Sequence, residues 1–304
     1  MGTADPIEVL TERLRRHPPE RYPIQHATAQ FHLGQALAAA ERYGDAAAAL
    51  RASAGGFARA GLALEGAKAI TQLGVVLRLH GDPGQAIALL RAAAETFAAA
   101  GEGVDEGAAH FNLGMALREA GAPGAHSAFA CARDRWEHTG HLEPAAAAAR
   151  EAGTESWVEG RLNRAITELS DASGLARTAG AAAGEGAAAN VLGLVLLDAG
   201  RPDDARVVLR EAVAAHPRGV RPADHAMAQA NLALAHEQAG DATRARVAAR
   251  QALSLCEAPA PVRGQAGAVL ERLGDPPGDL PHLLGDEPVE RWPALVRVEH
   301  ARLA

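Results

Sequence analysis

Apolar positions recur along this chain with the spacing of amphipathic α-helices. Leu33 and Leu37 lie four residues apart, and Ala86, Leu90 and Phe97 follow one another at steps of four and seven. Residues at such steps share one face of a helix with about 3.6 residues per turn, whereas a half-buried strand alternates with a period of two. The pattern therefore predicts many packed helices rather than a sheet.

The predicted helices come in pairs, because four sequence markers repeat together at steps of about 40 residues. The first marker is a small residue, found at Gly34, Gly74, Gly114, Gly153, Gly193 and Ala233. The second is a turn residue, found at Glu41, Gly81, Gly121, Gly160, Gly200 and Gly240. The third is alanine, at Ala46, Ala86, Ala125, Ala165, Ala205 and Ala245, and the fourth a closing glycine, at Gly61, Gly101, Gly140, Gly180 and Gly219. Each unit is thus predicted to contain a helix A, a turn and a helix B.

The markers have a physical interpretation. Glycine adopts positive φ without steric cost, so it ends helix A and then helix B. Residues 27–40 are the predicted helix A of the first unit, and residues 83–100 the predicted helix B of the second. Phe57, Phe97 and Trp136 recur at one helix-B position. We expect them to be core residues wedged between successive units.

The two ends of the chain are predicted to cap the array, because terminal units otherwise expose an apolar face. Asp5 followed by Pro6 is a helix start, and the helix it begins stops before Pro18. After the sixth pair, residues 261–273 form an incomplete seventh helix A. A proline-rich stretch then leads to a final helix at residues 293–303, with Trp292 sealing that end.

The resulting organisation has three parts. Residues 1–26 are the N-terminal capping helix and a linker, and residues 27–259 are six repeats. Residues 260–304 contain the incomplete seventh repeat, the proline-rich linker and a C-terminal capping helix.

The order of the markers resembles the tetratricopeptide repeat family. The segments 27–34 and 229–233 are similar to its first helix, and the resemblance extends over residues 27–275. It implies an all-α, right-handed superhelical solenoid of about six helix pairs, whose A helices line a concave groove. The usual unit of the family has about 34 residues. The longer unit here is similar to the extended-helix variants found in bacterial regulators and kinesin light chains.

The resemblance also implies a set of groove residues, because the family presents the second, fifth, ninth and twelfth positions of each unit to its ligand. The groove residues so implied are Phe31, Gln35, Lys68, Thr71, Val75, Arg78, Phe111, Met115, Arg118, Arg150, Asn190 and Leu194. The lysine and arginines would make the N-terminal half of the groove cationic, and the aromatic and methionine side chains would be apolar anchors. A protein or peptide segment with acidic and apolar side chains would fit. The alternative is that the arginines are solvated and pair locally.

Composition narrows the class of partner. The formal net charge of −7 argues against nucleic acid, whose binders display a basic face. Lys68 is the only lysine, and the excess of arginine, alanine and glycine is typical of GC-rich bacterial genomes. Neither an export signal nor an apolar run of about 20 residues is present, so we expect a cytoplasmic protein with no membrane partner. The sequence specifies no oligomeric state.

The sequence contains no motif for catalysis or for a cofactor. It lacks a Walker motif, an HExxH motif, a nucleophile elbow and a CxxC motif. Cys131 and Cys256 are far apart, and we expect both to be buried small hydrophobes. The 13 histidines have no carboxylate or thiolate at ligand spacing, so no metal site is predicted. We therefore predict that the protein is not an enzyme.

Three functions remain open at the level of sequence. The first is an adaptor that holds a partner segment in its groove. The second is a regulatory sensor that binds a small peptide or a metabolite. The third is an enzyme or accessory protein acting on a small molecule, which would need a convergent set such as Glu119 with His110 and Arg118.

Overall fold

The structure, a computed structural model, describes residues 5–255 and 258–275. Within these ranges the chain forms fourteen α-helices and no β-strand, which confirms the predicted all-α fold of helix pairs. The helices are α1 (Pro6–Arg16), α2 (Pro23–Ala39), α3 (Tyr43–Arg59), α4 (Ala63–Leu79), α5 (Pro83–Ala100), α6 (Gly103–Glu119), α7 (Ala125–His138), α8 (Leu142–Val158), α9 (Leu162–Thr178), α10 (Ala182–Asp198), α11 (Pro202–Ala215), α12 (Pro222–Gln238), α13 (Ala242–Leu253) and α14 (Ala260–Arg272). The even-numbered helices are A helices, and the odd-numbered helices from α3 to α13 are B helices. Over the described ranges, every helix falls short of the length and apolarity that crossing a membrane requires.

The chain divides into two compact units, unit 1 (Met1–His141) and unit 2 (Leu142–Ala304). The described part of unit 1 contains α1 to α7, and that of unit 2 contains α8 to α14. Within each unit, every helix A packs along the helix B that follows it, and that helix B packs on the next helix A. Each unit is therefore built by contacts between neighbours in the sequence, as in other repeat proteins.

Small residues allow helices A and B of one pair to approach closely. A Cβ atom added to Gly34 would lie 2.5 Å from Cγ of Leu50, which is fully buried. At the other end of the same pair, a Cβ on Gly56 would lie 2.8 Å from the Cβ of Ala27. These two contacts show that α2 and α3 run antiparallel, and that the glycines are there because no larger side chain fits.

The turns between helices A and B require a left-handed residue, as predicted. Gly81 has a φ of 87°, and its N–H donates to the backbone oxygen of Arg78 at 2.9 Å. Glu41, which replaces glycine in the first pair, also has a positive φ, of 58°. Glu41 keeps the left-handed conformation although it has a Cβ, which shows that the geometry of the turn is imposed by the helices on either side.

The prediction that Gly219 closes the fifth helix pair is wrong. Helix α11 ends at Ala215, with His216 as its C-cap residue, and Gly219 does not have positive φ. The helix stops early because Pro217 has no N–H to donate and its ring disfavours a helical conformation at the residue before it. A longer connection, residues 216–221, therefore takes the place of the last helical turn and the glycine.

The same connection occurs at the start of the chain, between α1 and α2. Both copies have the sequence His-Pro, four residues, Pro, two residues, His. In each copy Nδ1 of the second histidine bonds to the backbone oxygen of the first at 2.8 Å, from His26 to His17 and from His225 to His216. Helix α1 is therefore followed by the same kind of connection as the B helix α11.

The prediction that Phe57 and Phe97 are wedged between successive pairs is confirmed. Phe97 is 1 % exposed and clusters with Ala67 of the preceding helix A and Ala109 of the following one. Phe57 and Trp136 are also buried. The rings of Phe57 and Phe97 therefore join successive pairs, whereas Trp136 packs on α6 of its own pair and donates its indole N–H to the backbone oxygen of Val104 at 3.1 Å.

The two ends are described in part. Asp5 caps α1, because its Oδ1 accepts the N–H of Ile7 at 2.9 Å, and α14 confirms the incomplete seventh helix A. The first helix A begins at Pro23, four residues before its predicted start. The predicted helix at residues 293–303 lies outside the described residues, as do Trp292 and Cys256.

The prediction of a buried thiol is wrong for Cys131, which is exposed. Its helix, α7, buries Ala128, Ala132 and Trp136 on the side that faces its neighbours. Cys131 lies outside the arc that these buried positions occupy on the helical wheel, so it faces solvent.

Candidate functional site

The predicted groove residues of unit 1 lie on the A helices α2, α4 and α6, and they differ in exposure. Gln35 and Lys68 are exposed, whereas the apolar side chains are half-buried; these are Phe31, Val75, Phe111 and Met115. Thr71 is only 8 % exposed, and its hydroxyl donates to the backbone oxygen of Ala67 at 3.0 Å. The two exposed and four half-buried side chains are accessible to a ligand. Thr71 is not, so we no longer include it among the predicted ligand contacts.

The aromatic members of this face are anchored on one side by packing. The ring of Phe111 lies 5.5 Å from that of Phe129 and 5.8 Å from that of Trp136, both on α7. Phe31 contacts the buried cluster around Phe57 and makes an edge contact with His32 at 5.5 Å. Each phenylalanine is thus held in place by packing within its own helix pair, and the rest of its surface is open to solvent.

The cations predicted for this face are already engaged within the protein. Nζ of Lys68 lies 3.4 Å from Oδ2 of Asp105 on the next helix A, and the two side chains are 53 % and 35 % exposed. The guanidinium of Arg118 lies 4.8 Å from the ring centroid of Phe129. Its Nη1 is 3.9 Å from Sδ of Met115. This face is therefore less positive than the number of its arginine and lysine residues implies.

Arg78 forms a nearly enclosed ion pair with Glu119. Its Nε donates to both carboxylate oxygens of Glu119, at 3.0 and 2.9 Å, and its Nη2 donates to Oε1. The two side chains are 8 % and 10 % exposed. Because removing one partner would leave a buried charge, Arg78 is a structural residue that joins α4 to α6 rather than a free ligand contact.

In unit 2 the three predicted positions have different surroundings. Arg150 is half-buried and bonds to Oε1 of Glu151 at 2.6 Å. Asn190 and Leu194 are 4 % and 3 % exposed. Both are enclosed because α10 is buried on nearly all sides, so neither offers its side chain to a ligand in this conformation.

Asn190 belongs to a chain of buried amides that links three A helices. Nδ2 of Asn231 on α12 donates to Oδ1 of Asn190 on α10 at 2.7 Å. Nε2 of Gln265 on α14 donates to Oδ1 of Asn231 at 3.0 Å. We call these three residues the amide ladder. Asn190 is thus occupied in holding unit 2 together.

Glu119, His110 and Arg118, which an enzyme would need as a convergent set, do not come together in one cluster. Glu119 binds Arg78, whereas His110 lies beside Glu106, with Nε2 at 3.8 Å from its Oε1. Burial lowers the pKa of His110, against the opposing attraction of Glu106. No group of three or more His, Cys, Asp or Glu side chains with metal-binding geometry occurs in the part of the chain that the structure describes.

Sequence reasoning missed the carboxylates and amides that pair with the groove positions. Glu119 follows Arg78 by 41 residues, and Asn231 follows Asn190 by the same interval. Trp157 also donates its indole N–H to Asp198, which follows by 41. Complementary polar residues one repeat plus one position apart are a sequence signal that could have identified these partners.

The comparisons with known proteins agree with this architecture. Residues 8–61 and 190–260 match the tetratricopeptide repeat family model. No curated protein sequence matches the chain.

Several solved structures share the fold. BtubC from P. vanneervenii is similar with a TM-score of 0.56 and 17 % identity, over 90 % of this chain and 99 % of that one. The apo form of the quorum sensor NprR from B. thuringiensis has a TM-score of 0.54 and 14 % identity, over 87 % and 82 %. The apo form of RapI has a TM-score of 0.53 and 10 % identity, over 85 % and 98 %. At these identities the likeness concerns the fold alone.

Proposed function

We propose that this tetratricopeptide repeat protein is a binding scaffold, and that the A-helix face of unit 1 holds a segment of a partner protein or peptide. The proposal concerns binding rather than catalysis, because Glu119 and His110 belong to separate clusters. It concerns a protein partner rather than nucleic acid, because the net charge of the chain is −7.

The observation that supports the proposal most is the set of half-buried apolar side chains on three successive A helices. Phe31, Val75, Phe111 and Met115 occupy the corresponding face of α2, α4 and α6 without being enclosed. Packing within each pair fixes these side chains but leaves part of their surface open. A row of apolar anchors with fixed positions is suited to an extended segment with apolar side chains at intervals.

We further propose that the segment has an acidic residue near its apolar ones. Lys68 is 53 % exposed, and its distance of 3.4 Å from Asp105 is long for a charge-assisted hydrogen bond. Exposed ion pairs of this kind contribute about 0–1 kcal/mol, so an incoming carboxylate can replace Asp105 at small cost. Arg78 is not part of this contact, since its charge is satisfied by Glu119.

A peptide library displayed on phage and selected on the immobilised full chain tests the proposal. We expect selected peptides to be rich in apolar and acidic residues. A synthetic copy of a selected peptide should bind the Val75→Glu chain at least about tenfold more weakly than the unaltered chain, because the peptide would desolvate the new carboxylate. Lys68→Glu should weaken the binding of acidic peptides and leave the binding of neutral peptides nearly unchanged.

The matched control is Arg51→Glu on α3, an exposed helix-B position that changes charge by the same two units as Lys68→Glu. Its peptide affinity should equal that of the unaltered chain. If the selected peptides bind the Val75→Glu and Lys68→Glu chains as tightly as the unaltered chain, with helical circular dichroism unchanged, then the A-helix face of unit 1 is not where they bind.

A second candidate is a sensor of a small peptide or metabolite, favoured by the likeness to a structure described as a quorum sensor. A ligand present at 100 times its dissociation constant stabilises a protein by about 2.7 kcal/mol. Fractionated cell extract should then contain a component of low mass that raises the melting temperature. An absence of any shift, alongside peptides selected by phage display, would favour the scaffold.

A further inference from the structure

The A helices of unit 1 share an ion-pair position that is filled at one step of the array and lacks its cation at the other. At the step from α4 to α6, Nζ of Lys68 lies 3.4 Å from Oδ2 of Asp105, which follows 37 residues later. At the step from α2 to α4, the residues with the same interval are Thr28 and Glu65, each 40 residues before its counterpart. The repeat therefore places threonine where lysine stands at the next step, and it keeps the carboxylate.

The same core contact accompanies both steps. Each step has a buried cluster that contains one phenylalanine of the B helix and one alanine of each A helix, and corresponding members are 40 residues apart. The clusters contain Ala27, Phe57 and Ala69 at the first step, and Ala67, Phe97 and Ala109 at the second. Helices α2 and α4 are in contact, as are α4 and α6. Because the clusters correspond residue by residue, Thr28 and Glu65 occupy the junction that Lys68 and Asp105 occupy at the next step.

Glu65 is a carboxylate without a cation. It is exposed in the first turn of α4, and over residues 5–255 and 258–275 it forms neither an ion pair nor a side-chain hydrogen bond. Thr28 offers no charge, and its hydroxyl donates to the backbone oxygen of Ile24 at 2.9 Å. The dipole of α4 favours a carboxylate in the first turn, which is a structural role that needs no partner. A cation from a ligand would supply the partner that this step of the array lacks.

An exposed apolar side chain adjoins the place of the missing cation. Ile24 lies one turn before Thr28 on α2 and is 45 % exposed. Phe31, an apolar residue of the proposed binding face, lies three residues after Thr28 on the same side of α2. Lysine and arginine combine an apolar stem with a charged head. A stem that covers Ile24 and a head that pairs with Glu65 would fill this place.

We propose that the segment bound by unit 1 carries a basic side chain that pairs with Glu65 at the junction of α2 and α4. The inference rests on the proposed function, because the basic residue belongs to the same segment whose carboxylate pairs with Lys68 one step further along. Packed helices lie about 8–10 Å apart, and an extended segment advances about 3.3 Å per residue. The basic and the acidic residue of the ligand are therefore about three positions apart.

A lysine scan of a bound peptide tests the spacing. The starting probe is the tightest peptide from the phage selection, with its acidic residue kept and every lysine and arginine replaced by glutamine. One lysine is then placed in turn at each position within about six residues of the acidic residue, and fluorescence anisotropy measures binding to the full chain. Lysine about two to four positions from the acidic residue should raise the affinity about two- to fivefold over glutamine, as for an exposed ion pair. The gain should shrink as salt is added.

Three variants of the chain assign the gain to Glu65. Glu65→Gln removes the carboxylate, whereas Thr28→Lys supplies the missing cation within the chain and removes no charge. Both should abolish the preference of the chain for lysine over glutamine in the peptide. Glu65→Lys should reverse the preference, so that glutamate at the same peptide position binds more tightly than lysine. A purely structural role of Glu65 in α4 would instead weaken the lysine and the glutamine peptides alike.

Glu95→Gln is the matched control, because it removes an exposed carboxylate from the B helix α5 and should keep the preference for lysine. Equal affinities of the lysine and glutamine peptides for the unaltered chain would overturn the inference. So would a preference that persists in the Glu65→Gln chain, or one confined to other spacings. In each of these cases the proposed function still stands if Val75→Glu and Lys68→Glu weaken the peptides. Peptides insensitive to both of those changes would show that the proposed function itself is wrong.

Discussion

At the scale of the residue, side-chain sizes at the contact between helices A and B are matched across each pair. In five pairs glycine on helix A faces a large residue on helix B, and the pairs are Gly34 with Leu50, Gly74 with Leu90, Gly114 with Phe129, Gly153 with Leu169, and Gly193 with Leu209. In the sixth pair the same positions hold Ala233 and Ala249, both fully buried. Where the glycine gains a methyl group, the leucine has lost its branched end. Two different combinations thus avoid a clash at this contact: glycine against a large side chain in five pairs, and a small residue on each helix in the sixth.

This match predicts strong coupling between Gly193 and Leu209. A Cβ added to Gly193 would lie 2.4 Å from Cγ of Leu209, so Gly193→Ala should destabilise the chain by about 1–3 kcal/mol through overpacking. Leu209→Ala alone should cost about 2–5 kcal/mol through a cavity. The double variant reproduces the combination of the sixth pair, so its loss should be smaller than the sum by at least about 1 kcal/mol. Urea unfolding of the four chains measures the cycle.

Gly174→Ala in α9 is the control for this cycle. A Cβ at Gly174 meets nothing within 4 Å, so the substitution should stabilise the helix by about 0.5–1 kcal/mol through backbone entropy alone. If the Gly193 and Leu209 changes add without coupling, the two residues are not matched in the way we describe.

At the scale of the element, the connection between α11 and α12 places a titratable group where other pairs have an apolar one. His216 occupies the position of Phe57 and Phe97 in the repeat, and it is 2 % exposed. A Cβ on Gly186 would lie 2.5 Å from its Nε2, so the imidazole fills the space next to α10. Burial lowers the pKa of His216 below 6.5, although Asp224 and a hydrogen bond with the Gly186 backbone act in the opposite direction.

The lowered pKa predicts that acid weakens this part of unit 2. The unfolded chain binds a proton at the ordinary pKa of 6.5, whereas the folded chain does so only at lower pH. Unfolding therefore takes up a proton, and the free energy of unfolding should fall as the pH drops below 6.5. His216→Phe restores the side chain of the other pairs and removes this proton uptake. Denaturant unfolding at pH 7.5 and 5.5 should show a smaller acid loss for His216→Phe than for the unaltered chain. Equal losses in both chains would mean that His216 does not titrate in this interval.

At the scale of the whole molecule, the sequence predicted the elements well and their polar partners poorly. The positions of the turns followed from single residues such as Gly81 and Glu41, whose conformation is a local property. Gly219 was misassigned because Pro217 changes the connection, although the repeated His-Pro pattern at residues 17 and 216 marks that change.

The candidate face was harder to predict, since the partner of a groove residue lies on a different helix. Lys68, Val75 and Met115 were placed on the A helices correctly in outline, because the repeat register fixes which side of the helix they occupy. The burial of Asn190 could not be predicted, because it depends on amides that lie 41 and 75 residues further along the chain. Residue spacing identifies a helix face, but only the packed array determines whether that face reaches solvent.

The amide ladder provides a prediction for the array as a whole. Asn231 is fully buried and bonds to both Asn190 and Gln265, so Asn231→Leu leaves one acceptor and one donor unpaired. Each unpaired buried group costs about 1–3 kcal/mol, so the total loss should be roughly 2–6 kcal/mol. Because contacts in a repeat protein join sequence neighbours, hydrogen exchange should rise most in α10, α12 and α14, and least in α3 to α5. Gln238→Leu, an exposed amide on the same helix, should change neither quantity. A uniform rise in exchange over all helices would instead mean that the array unfolds as a single cooperative block.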